Sequence, residues 1–322
     1  MDSVANIIRS VYRANCSDID KLNILTICRN NEKYISSLCK TKHNFYILQQ
    51  HPWNNLIEQR PSTLQMITSY CEPLDYIICY DRAEQYEEAL QIATQLHIPI
   101  ILIDMCSKNM IRPHTVLEQF KPIDTDTLRR QVVLQVFSNN HIANSWGNSE
   151  TSIVIPIGID SNKFHNHQIL TDQCVISMDN NTPPHIGTQI QQQLKQYPII
   201  PTDHQNLTDI AVNKSQYFIN TYQTITVKTL EAMSAGNVVI CLKNTDTENF
   251  INHEETGMLI NSLNDLSATI DLLEKSKTLR IKIAEQARAK IIAEHSIDVF
   301  ISKWLSAFNM IKSTFYTPTP IM

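Results

Sequence analysis

The chain has 322 residues, and this length suits two domains of roughly 150 residues each. Hydrophobic residues make up 43% and charged residues 18%, so a proper core can be buried and a disordered chain is excluded. The net charge of -5 argues against a dedicated nucleic-acid binder, although a local basic groove is compatible with it.

The cysteines and the apolar runs indicate a soluble protein of a reducing compartment. None of the 8 cysteines has C-x-x-C spacing, so neither a zinc site nor a redox motif is indicated. Cys79 and Cys241 lie in apolar runs and are predicted to be small core residues. We find no signal-peptide core and no apolar run near the roughly 20 residues of a membrane span, so we expect a cytoplasmic protein.

Strand-like and helix-like segments alternate through the first half of the chain, which is typical of a parallel α/β sheet covered on both faces. The predicted strands of this half are residues 22–27, 45–48, 76–80, 97–103 and 152–155. The predicted helices are residues 3–14, 32–39, 83–96, 127–136 and 140–146.

The same alternation restarts after residue 171. Its predicted strands are residues 174–178, 199–200, 216–219, 238–242 and 258–260. Its predicted helices are residues 187–196, 227–235, 264–275, 278–294 and 297–311.

These two alternating halves predict an α/β fold of two Rossmann-like domains that face one another across a cleft. The expected domains are residues 1–150 and 151–322, with the last helix, at about 297–312, packing back on the first domain. Ligands of such sheets bind at the carboxyl ends of the strands, so the cleft is the expected site.

One short stretch, TVKTLEAMSAGNVVICLKN, contains a glutamate in an apolar helical turn and one of only 5 glycines. Glu231 lies within Leu-Glu-Ala-Met, and buried glutamates are rare unless something pairs with them. Gly236 follows the helix and allows a sharp turn into the next strand. A carboxylate that faces a ligand is one explanation of this pattern, and a helix glutamate paired with a neighbouring lysine is the alternative.

The block around this stretch resembles the donor-binding signature of GT-B glycosyltransferases near family 4. LEAMSAGNVVI and EETGMLI are similar to the signature, and IVIPIGIDSNKF resembles the linker that opens the second domain. Phe300 and Trp304 are spaced as in the family's closing helix. The N-terminal half looks like a divergent phage or bacterial branch of the same superfamily.

The resemblance implies transfer of a sugar from a nucleotide-diphosphate sugar to an unknown acceptor, with retention of the anomeric configuration. In the family the glutamate at the position of Glu231 binds the ribose hydroxyls. The residues Thr224, Ile225 and Thr226 replace the family's G-F-G turn and are expected to contact the donor. A helix amino end near Thr226 would suit the diphosphate.

Two departures from the family pattern concern catalysis. Gln223 occupies the position of the glutamate that contacts the donor sugar, and glutamine carries no charge. The arginine and lysine that clamp the diphosphate are missing after the strand at 174–178. Lys228 is the candidate replacement, with a solvated helix lysine as the alternative. Thr202 and Asp203 lie where the nucleobase loop is expected, although ordinary loop chemistry is the favoured explanation for them.

Polar residues also follow the predicted strands of the N-terminal half. Asn30, His51 and Arg82 come directly after strands, and we expect them to contact the donor or the acceptor. For each of them taken singly, a purely structural role is the favoured alternative. The three histidines at 165, 167 and 185 do not share a face, so no metal is predicted. The nucleotide sugar is the expected co-substrate, without a further cofactor.

Two other functions remain open at this stage. The departures at Gln223 and at the missing clamp favour a weak or inactive GT-B protein that only binds a nucleotide sugar or a partner protein. A glycosyltransferase that modifies DNA or protein is the second, although the net charge does not favour a nucleic-acid acceptor.

Overall fold

The chain divides into two compact units. Unit 1 comprises Met1–Pro156 together with Ile301–Met322, and unit 2 is Ile157–Phe300. This computed structural model describes residues 21–27, 31–55, 57–69, 73–80, 83–105, 132–147, 149–165, 176–179, 182–202, 212–222 and 224–316. The predicted helix at 3–14 lies outside these residues.

Unit 1 contains a seven-stranded sheet whose pairings are all parallel. Its strands are β1 (Asn23–Ile27), β2 (Asn44–Leu48), β3 (Leu64–Ile67), β4 (Tyr76–Tyr80), β5 (Ile100–Asp104), β6 (Val132–Phe137) and β7 (Ser152–Val154). They are arranged in the order β3-β2-β1-β4-β5-β6-β7. The central strands β4 and β5 are buried along their whole length, which explains their continuous apolar sequences.

Helices connect these strands, as the alternation predicts. They are α1 (Glu32–Cys39), α2 (Ala83–Leu96) and α3 (Asn140–Trp146). Leu25, Ile77 and Cys79 of the sheet share a core cluster with Tyr86 and Ala89 of α2. Cys79 is therefore a core residue, as predicted.

The predicted helix at 127–136 is wrong where the structure describes it, because residues Val132–Phe137 form β6. This strand pairs with β5 on one side and β7 on the other. Leu134 and Val136 are buried while Gln135 between them is less so, which is the two-residue period of a strand. The β-branched valines favour this conformation.

The edge strand β3 was not predicted. It is short and amphipathic, with Leu64 buried while Gln65 and Met66 are exposed, and among the described strands it pairs only with β2. Four residues of mixed polarity carry little periodic signal, so the strand depends on its neighbour.

Unit 2 contains a five-stranded sheet, again with all pairings parallel. Its strands are β8 (Ile176–Asp179), β9 (Ile199–Thr202), β10 (Tyr217–Asn220), β11 (Val238–Leu242) and β12 (Met258–Ile260). The order is β12-β11-β10-β8-β9. The two parallel α/β sheets confirm the predicted fold class.

Helices alternate with the strands of this sheet and follow the last of them. They are α4 (Pro184–Gln193), α5 (Val227–Ser234), α6 (Thr245–Glu248), α7 (Leu266–Lys275), α8 (Lys277–His295) and α9 (Ile297–Tyr316). Residues of α9 from Ile301 onward belong to unit 1, where Phe308 packs edge-on against His43 with ring centroids 4.9 Å apart. Trp304 and Phe308 are both fully buried.

None of the helices within the described residues is long and apolar enough to cross a membrane.

Candidate functional site

The amino end of α5 is closed by a pair of threonines. Thr226 is the N-cap residue, and its Oγ1 accepts a hydrogen bond from the backbone N–H of Thr229 at 3.2 Å. In return the backbone N–H of Thr226 donates to Thr229 Oγ1 at 3.4 Å, which completes a capping box. The box fixes where the helix begins, and the positive end of the helix dipole therefore lies at the loop that follows β10.

The loop between β10 and α5 is held by a buried asparagine. Asn220 is 2% exposed, and its Nδ2 donates to the carbonyl oxygen of Thr224 at 2.9 Å. Its Oδ1 accepts from the backbone N–H of Tyr222 at 3.2 Å. Hydrogen bonds within the protein therefore hold the described residues on both sides of this turn.

A second contact joins this loop to the one that follows the neighbouring strand β8. The hydroxyls of Thr182 and Thr221 are 2.9 Å apart, and β8 pairs directly with β10. Two loops thus meet at the carboxyl edge of the sheet, where ligands bind in folds of this class. The sequence between Cys174 and Leu194 contains no arginine or lysine, so the cation missing from the family pattern is absent from this stretch.

Glu231 lies in the second turn of α5 and is 2% exposed. Its Oε2 atom is enclosed by protein atoms, and its neighbours Leu230, Ala232 and Met233 are buried as well. Burial of a charged group is costly unless polar groups compensate for it. Glu231 is therefore not an ordinary solvated residue of a surface helix.

Gly236 ends the segment that contains α5. Its φ is 82°, in the left-handed region where residues with a Cβ are disfavoured. The backbone N–H of Gly236 donates to the carbonyl oxygen of Met233 at 3.0 Å, and that of Asn237 donates to Ala232 at 2.9 Å. This geometry confirms the predicted turn from the helix into β11, and it is typical of helix carboxyl ends.

The other end of α5 is anchored by an arginine that the sequence did not single out. Arg288 of α8 donates hydrogen bonds to the carbonyl oxygens of Ser234 and Phe164, the latter at 2.9 Å. Burial lowers the pKa of this arginine. Phe164 belongs to the IPIGIDSNKF linker and Ser234 to LEAMSAG, so Arg288 joins the two motifs that carry the resemblance.

Lys228 is the second residue of α5 and is partly buried. It precedes Glu231 by three residues, so the two side chains project from the same side of the helix. Ile225, expected to contact the donor, is partly buried and packs against the core cluster that contains Leu230. The catalytic role of Lys228 stays a prediction.

In unit 1, His51 has a carboxylate partner that the sequence did not reveal. Its Nε2 lies 2.7 Å from Oε1 of Glu88 on α2, with side-chain exposures of 8% and 17%. Gln50 donates to the same Oε1 at 2.9 Å. The loop after β2 is thereby tied to α2, and His51 is held in one orientation.

Four of the predicted site residues lie outside the described residues, namely Asn30, Arg82, Asp203 and Gln223. Thr202 ends β9, and only its backbone is described. The structure therefore brings together Thr224, Ile225, Thr226, Lys228 and Glu231 around the start of α5, and it locates His51 in unit 1.

Residues 204–306 match a family model described as glycosyl transferase-like. No sequence among the curated proteins matches the chain. The family match covers α5, the turn at Gly236 and most of the helices that follow.

Solved structures match over nearly the whole chain. HepE from Anabaena, in complex with UDP and glucose, has a TM-score of 0.65 and 12% identity, over 90% of this chain and 100% of that one. Sucrose-phosphate synthase from Thermosynechococcus elongatus has a TM-score of 0.67 and 10% identity, over 91% and 100%. A glycosyltransferase from Rickettsia africae has a TM-score of 0.63 and 13% identity, over 93% and 100%.

At these identities the likeness is one of fold. The neighbours are GT-B glycosyltransferases, and the two parallel α/β sheets of this chain agree with that fold. The chain therefore has the GT-B fold, and its residues 204–306 match a glycosyl transferase-like family.

Proposed function

We propose that this chain is a glycosyltransferase that moves a sugar from a nucleotide-diphosphate sugar to an acceptor. The observation that carries the proposal is the family match over residues 204–306, because this range contains α5 and Glu231. The leaving nucleotide is proposed to be UDP, since the HepE structures hold UDP, UDP-glucose, or UDP with glucose. Retention of configuration and independence of metal are part of the proposal, and the resemblance to family 4 supports both.

The start of α5 is the proposed diphosphate site. The threonine box aligns the first turn of the helix, whose dipole favours an anion at this end. Lys228 supplies a positive charge close to that end. The diphosphate gains negative charge as the glycosidic bond breaks, so a cation there lowers the barrier more than it strengthens ground-state binding.

Glu231 is the proposed ribose-binding residue. A carboxylate accepts two hydrogen bonds and suits a pair of adjacent hydroxyls. Its burial strengthens such bonds, because water competes less inside the protein. Gln223, Thr224, Ile225, Thr226, Thr202 and Asp203 complete the proposed donor site.

The acceptor side of the proposal rests on unit 1. His51 is the proposed acceptor-side base, and Glu88 orients its ring through the 2.7 Å contact. Asn30 and Arg82 are proposed contacts at neighbouring strand ends.

A protein that binds a nucleotide sugar without transferring it is the second candidate. Gln223 in place of a glutamate favours it, as does the stretch without arginine or lysine between Cys174 and Leu194. Release of UDP from UDP-glucose separates the two candidates, because a binding protein releases none.

The test is a thermal-shift screen with UDP, UDP-glucose and other nucleotide sugars, followed by titration calorimetry. A ligand at 100 times its dissociation constant adds about 2.7 kcal/mol of stability, which is a clear shift. Glu231→Gln should weaken UDP binding by about 1.5–3 kcal/mol, as expected for a hydrogen bond to a charged group.

Glu285→Gln is the matched control, because Glu285 is an exposed glutamate of α8 in the same unit. Its UDP affinity should equal that of the wild type. Unchanged affinity in Glu231→Gln would remove the ribose role, and a wild type that binds no nucleotide would remove the proposal.

A further inference from the structure

Helix α1 begins with a buried carboxylate. Glu32 is the first residue of the helix and only 6% exposed. Its Oε2 atom is enclosed by protein and has no hydrogen-bond partner, and no contact within the described part of the chain satisfies it. Buried polar atoms of this kind are rare in native proteins, and each one needs an explanation.

The side chain of Glu32 lies on a buried face of α1. Glu32, Ile35 and Cys39 are all buried, and their spacing of three and then four residues puts them on one side of a helix. Tyr34 fixes the helix laterally, because its ring meets that of Tyr80 edge-on with centroids 5.7 Å apart. The carboxylate is therefore held at the carboxyl end of β1.

The local structure gives only a partial reason for a glutamate here. A negative charge in the first turn interacts favourably with the helix dipole. Glu84, in the first turn of α2, gains the same benefit while it is exposed to water. Burial removes the Oε2 atom of Glu32 from water without a hydrogen bond in return, so this carboxylate costs stability that an exposed one would not. Such costs are typical of residues kept for a ligand.

The position of Glu32 in the sheet agrees with a binding role. β1 is paired with β2 on one side and β4 on the other, so the loops after these three strands are neighbours. His51 and its partner Glu88 follow β2 and β4 at the same edge. The carboxyl edge of a parallel sheet is where ligands bind.

We propose that Glu32 binds a hydroxyl of a carbohydrate acceptor. An ionised carboxylate offers acceptors only, so its ligand must bring an O–H or N–H donor. A diphosphate brings only negative oxygens and is repelled, whereas a sugar or polyol brings several hydroxyls. The residues of the donor signature belong to unit 2, whereas Glu32 belongs to unit 1. We therefore assign Glu32 to the acceptor. This inference rests on the proposed glycosyl transfer.

The first arm of the test is stability, and it needs no ligand. Glu32→Gln should leave the melting temperature unchanged, and Glu32→Leu should raise it by about 2 °C or more, because a buried polar atom without a hydrogen bond is removed. Glu84→Gln is the matched control and should change it by less than about 1 °C. If the melting temperature falls more in the Glu32 variants than in Glu84→Gln, Glu32 stabilises the fold, and the proposal is overturned.

The second arm is activity with UDP-glucose as the donor and glycerol or methyl glucoside as hydroxyl probes. Glu32→Gln should keep its UDP affinity within about twofold of wild type and lose at least tenfold of the probe-stimulated UDP release. Unchanged stimulated release overturns the proposal. A tenfold loss of UDP affinity also overturns it, because Glu32 would then serve the donor.

The two arms separate this inference from the proposed function. If wild-type protein binds no UDP, the transfer proposal fails and takes the acceptor assignment with it. If the wild type binds UDP and Glu32→Gln shows the same probe-stimulated UDP release as the wild type, the transfer proposal stands and the role of Glu32 is refuted.

Discussion

Arg280 Nη1 lies 2.7 Å from Glu274 Oε1, and the hydroxyl of Tyr217 donates to the same carboxylate oxygen at 2.5 Å. Arg280 also donates to Gln216 Oε1 at 3.1 Å. These contacts link α7 and α8 to the residues at the start of β10. Burial and the bond to Glu274 both raise the pKa of Tyr217, which therefore stays a neutral donor.

We expect Arg280→Ala to destabilise unit 2, because it leaves Glu274 and Gln216 without this donor. The expected loss is about 2–3 kcal/mol in the free energy of unfolding. This loss is smaller than for a fully buried ion pair, because the side chain of Glu274 is 27% exposed. Urea unfolding measures it, with Lys282→Ala, an exposed residue of the same helix, as control. A loss below about 0.5 kcal/mol would mean that the network contributes no net stability.

Replacing glycine by alanine should have opposite effects on stability at Gly236, in the turn after α5, and at Gly187, in α4. Gly236→Ala forces a Cβ into the left-handed region and should cost about 1–2 kcal/mol. Gly187→Ala should instead stabilise by up to about 1 kcal/mol, because Gly187 lies inside α4 with open space around it. Chemical denaturation of both variants tests this pair. Equal effects at the two sites would contradict the conformational argument.

The threonine box of α5 should matter through the hydroxyl at position 226. Thr226→Val removes the cap and is expected to cost about 1 kcal/mol of stability and to weaken UDP binding. Thr226→Ser keeps the hydroxyl and should restore both properties. If the serine variant is as poor as the valine variant, the methyl group and its packing matter instead of the cap.

Lys228→Ala should reduce turnover of UDP-glucose about a hundredfold, with a smaller effect on donor affinity. The loss should exceed that of Gln223→Ala, because a cation stabilises the leaving diphosphate more than a neutral amide does. Lys214→Ala, an exposed lysine of unit 2, is the control. Steady-state UDP release is the measurement. Near wild-type turnover in Lys228→Ala would move the clamp to Arg82 or to Arg29, which follows the predicted strand at 22–27 in the sequence.

Alkaline pH should destabilise the fold through its buried thiols. Burial raises the pKa of Cys241 from 9.0 to about 12, and that of Cys39 likewise to about 12. The folded state therefore holds these protons more tightly than the unfolded state. This stability is complete below about pH 9 and is lost as the pH rises toward 12, by about 1.4 kcal/mol per unit and per thiol.

Urea unfolding at pH 7.5, 9 and 10 should show this decline in the wild type and a shallower decline in Cys241→Ala. The slope with pH is the readout, because the substitution also changes packing. Parallel slopes in the two proteins would show that this thiol does not ionise on unfolding.

The elements of this fold that can be predicted from the sequence are those whose pattern is contained in neighbouring residues. β4 and β5 lie in the sheet centre, and their continuous apolar runs were recognised because burial on both faces requires such sequences. The sequence of β6 predicts a helix because the alternation of Leu134 and Val136 spans only a few residues, too few to distinguish the strand period from the helix period. Its identity comes from pairing with β5 and β7.

The candidate site divides in the same way. Glu231 and Gly236 were recognised because their neighbours in sequence define a helix and its turn. Arg288 was not, since its acceptors Ser234 and Phe164 are 54 and 124 residues away. Glu32 looks like an ordinary first-turn acid, and only the packing of α1 on the sheet reveals its burial.

The division of the chain into units has a consequence for synthesis on the ribosome. Unit 2 is one continuous segment, Ile157–Phe300, whereas unit 1 needs both Met1–Pro156 and Ile301–Met322. The fully buried Trp304 and Phe308 belong to the later piece. Unit 1 therefore waits, with part of its core exposed, until the other unit has been translated, and a chaperone that shields this surface would act during that interval.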